Sequence, residues 1–176
     1  MTQAASKEQS QGSPFWHFSL GFYRAPGVAE ACIRLQDEAA VDVNLLFFLL
    51  WQASLKRRLT SAEVEAADGK VSAWRESAVV PLRNIRRALK DKAGLIEPSL
   101  CELFRTKVKG LELEAERLEQ EALYEFAQSA ILGEPVASAG EAARANVDAY
   151  ESYSSRRFPK AAADAVLNAF AQLHRR

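Results

Sequence analysis

Four cations lie close together in segment 81–92 and form the sharpest chemical feature of the chain. They are Arg83, Arg86, Arg87 and Lys90. At about 100° per residue they share one side of a helix, next to an apolar side that we expect to face the core. That apolar side comprises Leu82, Ile85 and Leu89. Because arginine presents a planar set of donors that suits phosphate oxygens, the basic side is a candidate anion-binding site for RNA or a small phosphate.

The same cations have a simpler alternative role as partners of acidic side chains. Twenty-three basic residues balance twenty-three acidic ones, so the net charge does not favour wholesale binding to nucleic acid or to anionic membranes. Solvated basic helix faces that pair with acids are common. Glu112 and Glu116, on the glutamate-rich segment that follows, would be suitable partners. Both interpretations stand at this point.

Glu112, Glu116 and Glu119 fall on one side of a helix and could perform acid/base or two-metal chemistry. Lys109 and Arg117 stand three or four residues from acidic side chains of the same segment. Local pairs of this kind are typical of an exposed, charged helix face. The spacing therefore favours solvated surface over an active site.

Residue types that usually carry catalysis or bind metals are scarce. The two histidines and two cysteines are widely separated in the sequence. They are His17, His174, Cys32 and Cys101. No zinc spacing, Gly-rich phosphate loop or Gly-x-Ser-x-Gly motif occurs. Asp37, Glu38 and Asp42 fit capping and solvation better than a metal site. We therefore predict no catalytic residue, no cofactor and no metal site, which disfavours an enzyme.

Length and composition predict one folded domain. A chain of 176 residues can bury a sizeable core. We expect a disordered polar tail at 1–13 and a single helical domain at 14–176. Within it we distinguish a core half (14–94), a long helix (97–132) and peripheral alanine-rich helices (141–175). The polar tail lacks a secretory signal and the cysteines are isolated, so we expect a cytoplasmic protein.

The run from Val43 to Trp51 is the most apolar stretch and organises the fold. Nine helical residues rise about 13.5 Å, whereas a bilayer core needs about 20 residues, so the run cannot span a membrane. Apolar residues cover every side of it, and Leu and Phe outnumber β-branched residues, which favours a buried helix over a buried strand. We predict an all-α bundle around this short, fully buried central helix, with no sheet.

Capping and helix-breaking residues delimit the neighbouring helices. Ser13 precedes a short aromatic helix, Asp42 is placed to cap the central helix, and Thr60 to Glu63 have the pattern of a capping box. We expect Gly69 to end the next helix, and Pro81 to kink the following segment or start a new helix.

The glutamate-rich segment 97–132 predicts one long helix. About 35 residues extend roughly 52 Å, which is more than a domain of this size needs. Apolar residues recur at spacings of four and three, as in a coiled-coil seam. They are Phe104, Val108, Leu111, Ala115, Leu118, Ala122 and Phe126. Part of this helix is therefore expected to project or to meet a partner.

Short motifs spread over the first half of the chain carry a family resemblance. They are Phe15-Trp16-His17-Phe18-Ser19-Leu20, Gly27-Val28-Ala29, Leu35-Gln36-Asp37, Asp42-Val43-Asn44-Leu45-Leu46, Trp51, Trp74-Arg75, Pro81-Leu82-Arg83 and Arg86-Arg87. The chain resembles an uncharacterised proteobacterial family of short helical proteins, catalogued as a domain of unknown function. The resemblance covers about 15–92 well and the glutamate-rich helix more loosely, whereas the alanine-rich end lies outside it. It implies a bacterial cytoplasmic helical protein and brings no activity, cofactor or catalytic residue.

Three functional classes follow. The leading one is a non-enzymatic interaction or adaptor module that binds another protein or itself through the long helix. The second is an RNA- or phosphate-binding accessory protein that uses the basic side. The third is a helical enzyme or lipid-binding protein with an internal apolar pocket under the aromatic first helix. The third is least favoured because no nucleophile–base pair or metal set is recognisable.

Overall fold

The computed structural model describes residues 12–91 and 96–174, and this part of the chain is almost entirely helical. The helices are α1 (Pro14–Tyr23), α2 (Val28–Ala39), α3 (Val43–Ser54), α4 (Ser61–Trp74), α5 (Val80–Ala88), α6 (Pro98–Ser129), α7 (Ala139–Ser154) and α8 (Lys160–Leu173). A π-helical turn (Arg75–Val79) joins α4 to α5, and a 3-10 turn (Leu89–Asp91) follows α5. The all-α prediction is confirmed. Of the predicted tail, residues 1–11 lie outside the described residues, as does the predicted boundary at 94.

The predicted central helix is α3, and it is buried on all sides. Every residue from Asn44 to Ala53 is buried, because α1, α6 and α7 pack around it. Aromatic rings from α1 fill the space above it, with centroids 5.6 Å apart for Phe15 and Phe48 and 5.2 Å apart for Phe22 and Phe47. Within the described ranges, no helix is long and apolar enough to cross a membrane.

The helix starts follow the predicted caps. Ser13 Oγ accepts a hydrogen bond from Trp16 N, Asp42 Oδ1 accepts one from Leu45 N, and Thr60 and Glu63 form the full capping box. The expected stop at Gly69 is wrong, because α4 continues through it to Trp74. Burial of one face of α4 offsets the roughly 1 kcal/mol that an exposed helical glycine costs. Pro81 lies near the start of α5, directly after the π-helical turn, where its missing donor is tolerated.

The alanine-rich helices lie closer to the core than the sequence analysis placed them. Helix α7 packs along α3, and α8 packs against α2. The small side chains of α7 permit this close approach. Asn146 of α7 is fully buried and links three segments. Its Nδ2 donates to Leu49 O and Arg57 O, each at 3.0 Å, and its Oδ1 accepts from Leu59 N at 2.7 Å.

The expectation of no sheet needs a small correction. Strands β1 (Arg57–Arg58) and β2 (Glu134–Pro135) form a two-residue antiparallel ladder. Gly133 adopts a φ of 67°, and a Cβ there would lie 2.9 Å from Arg58 O. Only glycine permits this approach, which ties the loop after α3 to the loop after α6.

Candidate functional site

The predicted basic side of α5 does not face solvent as one surface. Arg83 donates from Nε to Glu112 at 3.1 Å and from Nη2 to Glu116 at 2.7 Å. Arg86 donates to both carboxylate oxygens of Glu112. These pairs, which the sequence analysis offered as the alternative role of the cations, join α5 to α6. Burial alone would raise the pKa of Glu112, but hydrogen bonds from Arg86 and Arg83 lower it below its ordinary value.

The other two predicted cations lie apart from this pairing. Arg87 reaches α2 and pairs with Asp37 at 3.0 Å, where both side chains are about half exposed. Lys90 is exposed on the 3-10 turn. The structure therefore splits the four candidates between the α5–α6 contact, α2 and solvent. Anion binding by Arg83, Arg86, Arg87 and Lys90 stays a prediction.

The apolar side predicted for α5 is not its buried side. Ile85 is 46% exposed, and no residue of α5 is buried. The neighbouring surface of α6 carries Glu112 and Glu116, so the arginine side turns toward it. Arginine stems can cover apolar surface while their guanidinium groups pair with carboxylates, which makes this orientation favourable.

A second charged cluster lies deeper and joins residues that are distant in the sequence. Arg75, in the π-helical turn, donates from Nη1 to Asp42 at 2.5 Å and from Nη2 to Asp68 at 2.6 Å. Glu119 of α6 lies beside them, and its Oε2 accepts a hydrogen bond from Asn44 Nδ2 at 2.7 Å. Sequence reasoning identified Asp42 only as a cap and Glu119 as surface. The one available signal was that Asp42, Asn44 and Arg75 belong to the quoted family motifs.

The surroundings of Glu119 favour its protonated form. Its side chain is fully buried, and its Oε1 has no hydrogen-bond donor, lying 3.6 Å from Arg75 Nη1. Burial raises the pKa of Glu119 well above its ordinary value, and the adjacent Asp42 carboxylate raises it further, against the opposing effects of Asn44 and Arg75. Arg75 is already bound to two aspartates. A protonated Glu119 can donate to Asp42, which removes the repulsion between the two carboxyl groups.

An open cleft of about 490 Å³ lies over this cluster. Its lining includes Arg75, Arg83, Arg87, Arg156 and Tyr150. Three aspartates also line it, so both positive and negative groups are present in its wall. They are Asp37, Asp42 and Asp68. The cleft can bind a small polar molecule, and two of its arginines belong to the predicted basic side.

A row of exposed apolar side chains on α6 is the second notable surface. We call it the α6 stripe; its members are Leu100, Leu103, Phe104, Leu111 and Leu118, and all are more than 40% exposed. At 100° per residue they fall within a sector of about 100°. The segment 98–107 contains no buried residue, so the start of α6 projects along the domain surface.

The predicted seam of α6 is divided between two faces. Val108 and Ala115 are buried, whereas Phe104, Leu111 and Leu118 are exposed. The buried face instead includes Gln120 and two glutamates, Glu112 and Glu119, which the sequence analysis assigned to polar surface. These residues are buried because arginines and Asn44 on neighbouring helices provide partners, such as Asn44 Oδ1 for Gln120 Nε2 at 2.8 Å.

Comparison with known families shows which family the chain belongs to. The model of a family described as a protein of unknown function, DUF2390, matches residues 14–123. The chain belongs to this family. The match includes both charged clusters and the α6 stripe, and it ends before α7 and α8. The DUF2390 description assigns no activity, and neither a curated protein nor a solved structure matches the chain.

Proposed function

We propose that the protein is a non-enzymatic interaction module that binds an amphipathic helix of a protein partner along the α6 stripe. The observation that carries this proposal is the exposure of five large apolar side chains on one side of α6. The remainder of the domain already has a continuous core around α3. The stripe is therefore apolar surface that folding of one chain leaves in water.

The size of the stripe supports a binding role. From Leu100 to Leu118 it extends about 27 Å, or five helical turns. Five side chains of this kind, about half exposed, present on the order of 500 Å², the size at which apolar patches on monomeric proteins often serve binding. An extended row of this shape matches a helix that contributes a side chain every three or four residues.

Two charged residues within the sector of the stripe define the partner further. Lys107 and Glu114 fall between its apolar members on α6, and both are exposed. A partner helix with one acidic and one basic side chain at matching heights would complement them. The cytoplasmic setting is part of this proposal. It is supported by Cys32 and Cys101, which are free thiols in the described part of the chain.

Site-specific photo-crosslinking in cells that produce the protein tests the proposal. A photoreactive residue at position 111 should form an adduct whose crosslinked site maps to an amphipathic helix. The matched control is position 113, because Leu113 is 49% exposed and Leu111 is 59% exposed, on different sides of α6. Equal adducts at both positions, or none specific to position 111, would refute the proposal.

A second candidate function is binding of a small anion in the cleft over Arg75. The specific observation is that Arg83 and Arg87, two of the predicted cations, line one cleft with Arg75 and with Arg156, which is distant in the sequence. Arg87 and Arg156 are the exposed members, and Arg87 would exchange its pair with Asp37 for a ligand. Arg86 and Lys90 do not line this cleft and take no part in this version of the hypothesis.

Calorimetric titration with inorganic pyrophosphate at low salt tests this second candidate. Arg87→Ala and Arg156→Ala should each weaken binding, whereas Arg34→Ala, a surface control paired with Glu38, should not. Binding should also weaken as salt is raised. Failure of the parent protein to bind pyrophosphate would exclude the cleft. Binding of single-stranded RNA that depends on Arg86 and Lys90 would instead favour the extended basic side.

A further inference from the structure

We infer that the helix bound by the α6 stripe is α6 of a second copy of this chain, packed antiparallel with a two-fold axis at Leu111. This inference rests on the proposed function and specifies its partner. A two-fold interface is self-complementary, because each surface element meets its own equivalent across the axis. The α6 stripe can be examined directly for this property.

The spacing of the stripe fits an antiparallel pair. Phe104 and Leu118 stand seven residues before and seven after Leu111. With the axis at Leu111, Phe104 of each copy therefore lies opposite Leu118 of the other, and the two Leu111 side chains meet at the centre. The projecting segment 98–107 of each copy would lie along the later part of the other α6, where Phe104 meets Leu118.

The two charged residues within the stripe distinguish antiparallel from parallel packing. Lys107 lies four residues before Leu111 and Glu114 lies three residues after it. Reversal about the axis brings Lys107 of one copy almost level with Glu114 of the other. The remaining offset is one residue, or about 1.5 Å along the helix. Around α6 both lie on the same side of Leu111, so a two-fold axis places them side by side. Parallel packing would bring like charges together.

The area of the pair is sufficient for association. Two stripes bury on the order of 1,000 Å² of apolar surface, which is near the lower limit for a specific interface. The pair should therefore dissociate on dilution. Gly110, next to the axis, has no atom within 4 Å of the position a Cβ would occupy, so this part of α6 is open to close approach.

Sedimentation equilibrium of the purified full chain tests the inference. The parent protein should behave as a dimer at high concentration and shift to monomer on dilution. Leu111→Glu should give a monomer at every concentration, with an unchanged circular dichroism spectrum because the position is exposed. The matched control Leu113→Glu should retain the dimer. A parent protein that is monomeric throughout, or a dimer that Leu111→Glu leaves intact, would overturn the inference.

Disulfide crosslinking determines the orientation, in a background where Cys101 is replaced by serine and Cys32 stays buried. Leu111→Cys alone should form covalent dimers on oxidation. Phe104→Cys and Leu118→Cys should each fail alone but crosslink when the two proteins are mixed. Crosslinking by every single cysteine variant would indicate parallel packing and overturn the inference.

The two proposals fail in distinguishable ways. A monomeric purified protein whose position 111 still crosslinks in cells to an amphipathic helix of another protein would overturn self-association and leave the interaction function standing. Absence of a specific adduct at position 111 would refute both the interaction function and the self-association.

Discussion

Glu119→Gln should keep the fold and make the protein increasingly more stable than the wild type as the pH rises. Glutamine has the shape of a protonated glutamate. Its amide oxygen can accept the hydrogen bond from Asn44 that Glu119 Oε2 accepts at 2.7 Å, and its NH₂ group can donate toward Asp42. The substitution therefore retains the hydrogen bonds and removes only the ionisable proton.

The sign follows from the direction of the pKa shift. In the unfolded chain Glu119 ionises near its ordinary pKa of 4.5, whereas in the folded chain the raised pKa keeps it protonated. Above pH 4.5 the folded state thus binds more protons than the unfolded state, so wild-type stability falls as the pH rises toward the folded pKa. A slope of about 1.4 kcal/mol per pH unit gives a cost of at most about 3 kcal/mol at pH 7. Glutamine carries no such cost.

Urea unfolding at a series of pH values between 5 and 8 provides the measurement. The difference in unfolding free energy between Glu119→Gln and wild type should increase in favour of the variant by about 2 to 3 kcal/mol from pH 5 to pH 7. The control is Glu125→Gln, an exposed position on the same helix, which should change stability by less than about 0.5 kcal/mol at each pH. If Glu119 is instead ionised and paired with Arg75, the variant will be less stable than wild type, with a difference that does not grow with pH.

Three further predictions concern the core, a helix interior and the thiols. Leu46→Ala should lower the unfolding free energy by about 2 to 5 kcal/mol in urea denaturation, because Leu46 is buried in α3; a loss below about 0.5 kcal/mol would contradict this placement. Gly69→Ala should raise the unfolding free energy by about 0.5 to 1 kcal/mol, because Gly69 is an exposed interior residue of α4 with open space at the Cβ position. Destabilisation by this substitution would mean that α4 does not continue through Gly69. A thiol reagent should modify Cys101 in the native protein and Cys32 only after unfolding, because burial raises the pKa of Cys32 to about 12; equal native rates would refute this.

The sequence by itself determined the features that depend on local pattern. The all-round apolarity of 43–51 predicted a buried central helix, and α3 is buried from Asn44 to Ala53. Caps are equally local, since Asp42 and the Thr60–Glu63 box need partners only three residues away. The quoted motifs likewise indicated an uncharacterised family of unknown function, and the DUF2390 family model matches the chain. Gly69 was the exception, because helix propensity is weaker than the packing of neighbouring residues.

Only the tertiary structure decided which side of a two-sided helix faces its neighbour. Helix α5 has an apolar side and a basic side, and the basic side faces α6 because Arg83 and Arg86 pair with the carboxylate of Glu112. On α6 the available partners buried Glu119 and left Leu111 exposed, against their individual hydrophobicity.

The deepest cluster could not be found from spacing at all. Asp42 and Arg75 are 33 residues apart, and Asn44 and Glu119 are 75 apart. No local period links such positions, so their contact exists only when α3, the π-helical turn and α6 pack together. The raised pKa of Glu119 has the same origin: water is excluded and a second carboxylate is brought alongside only in the folded chain.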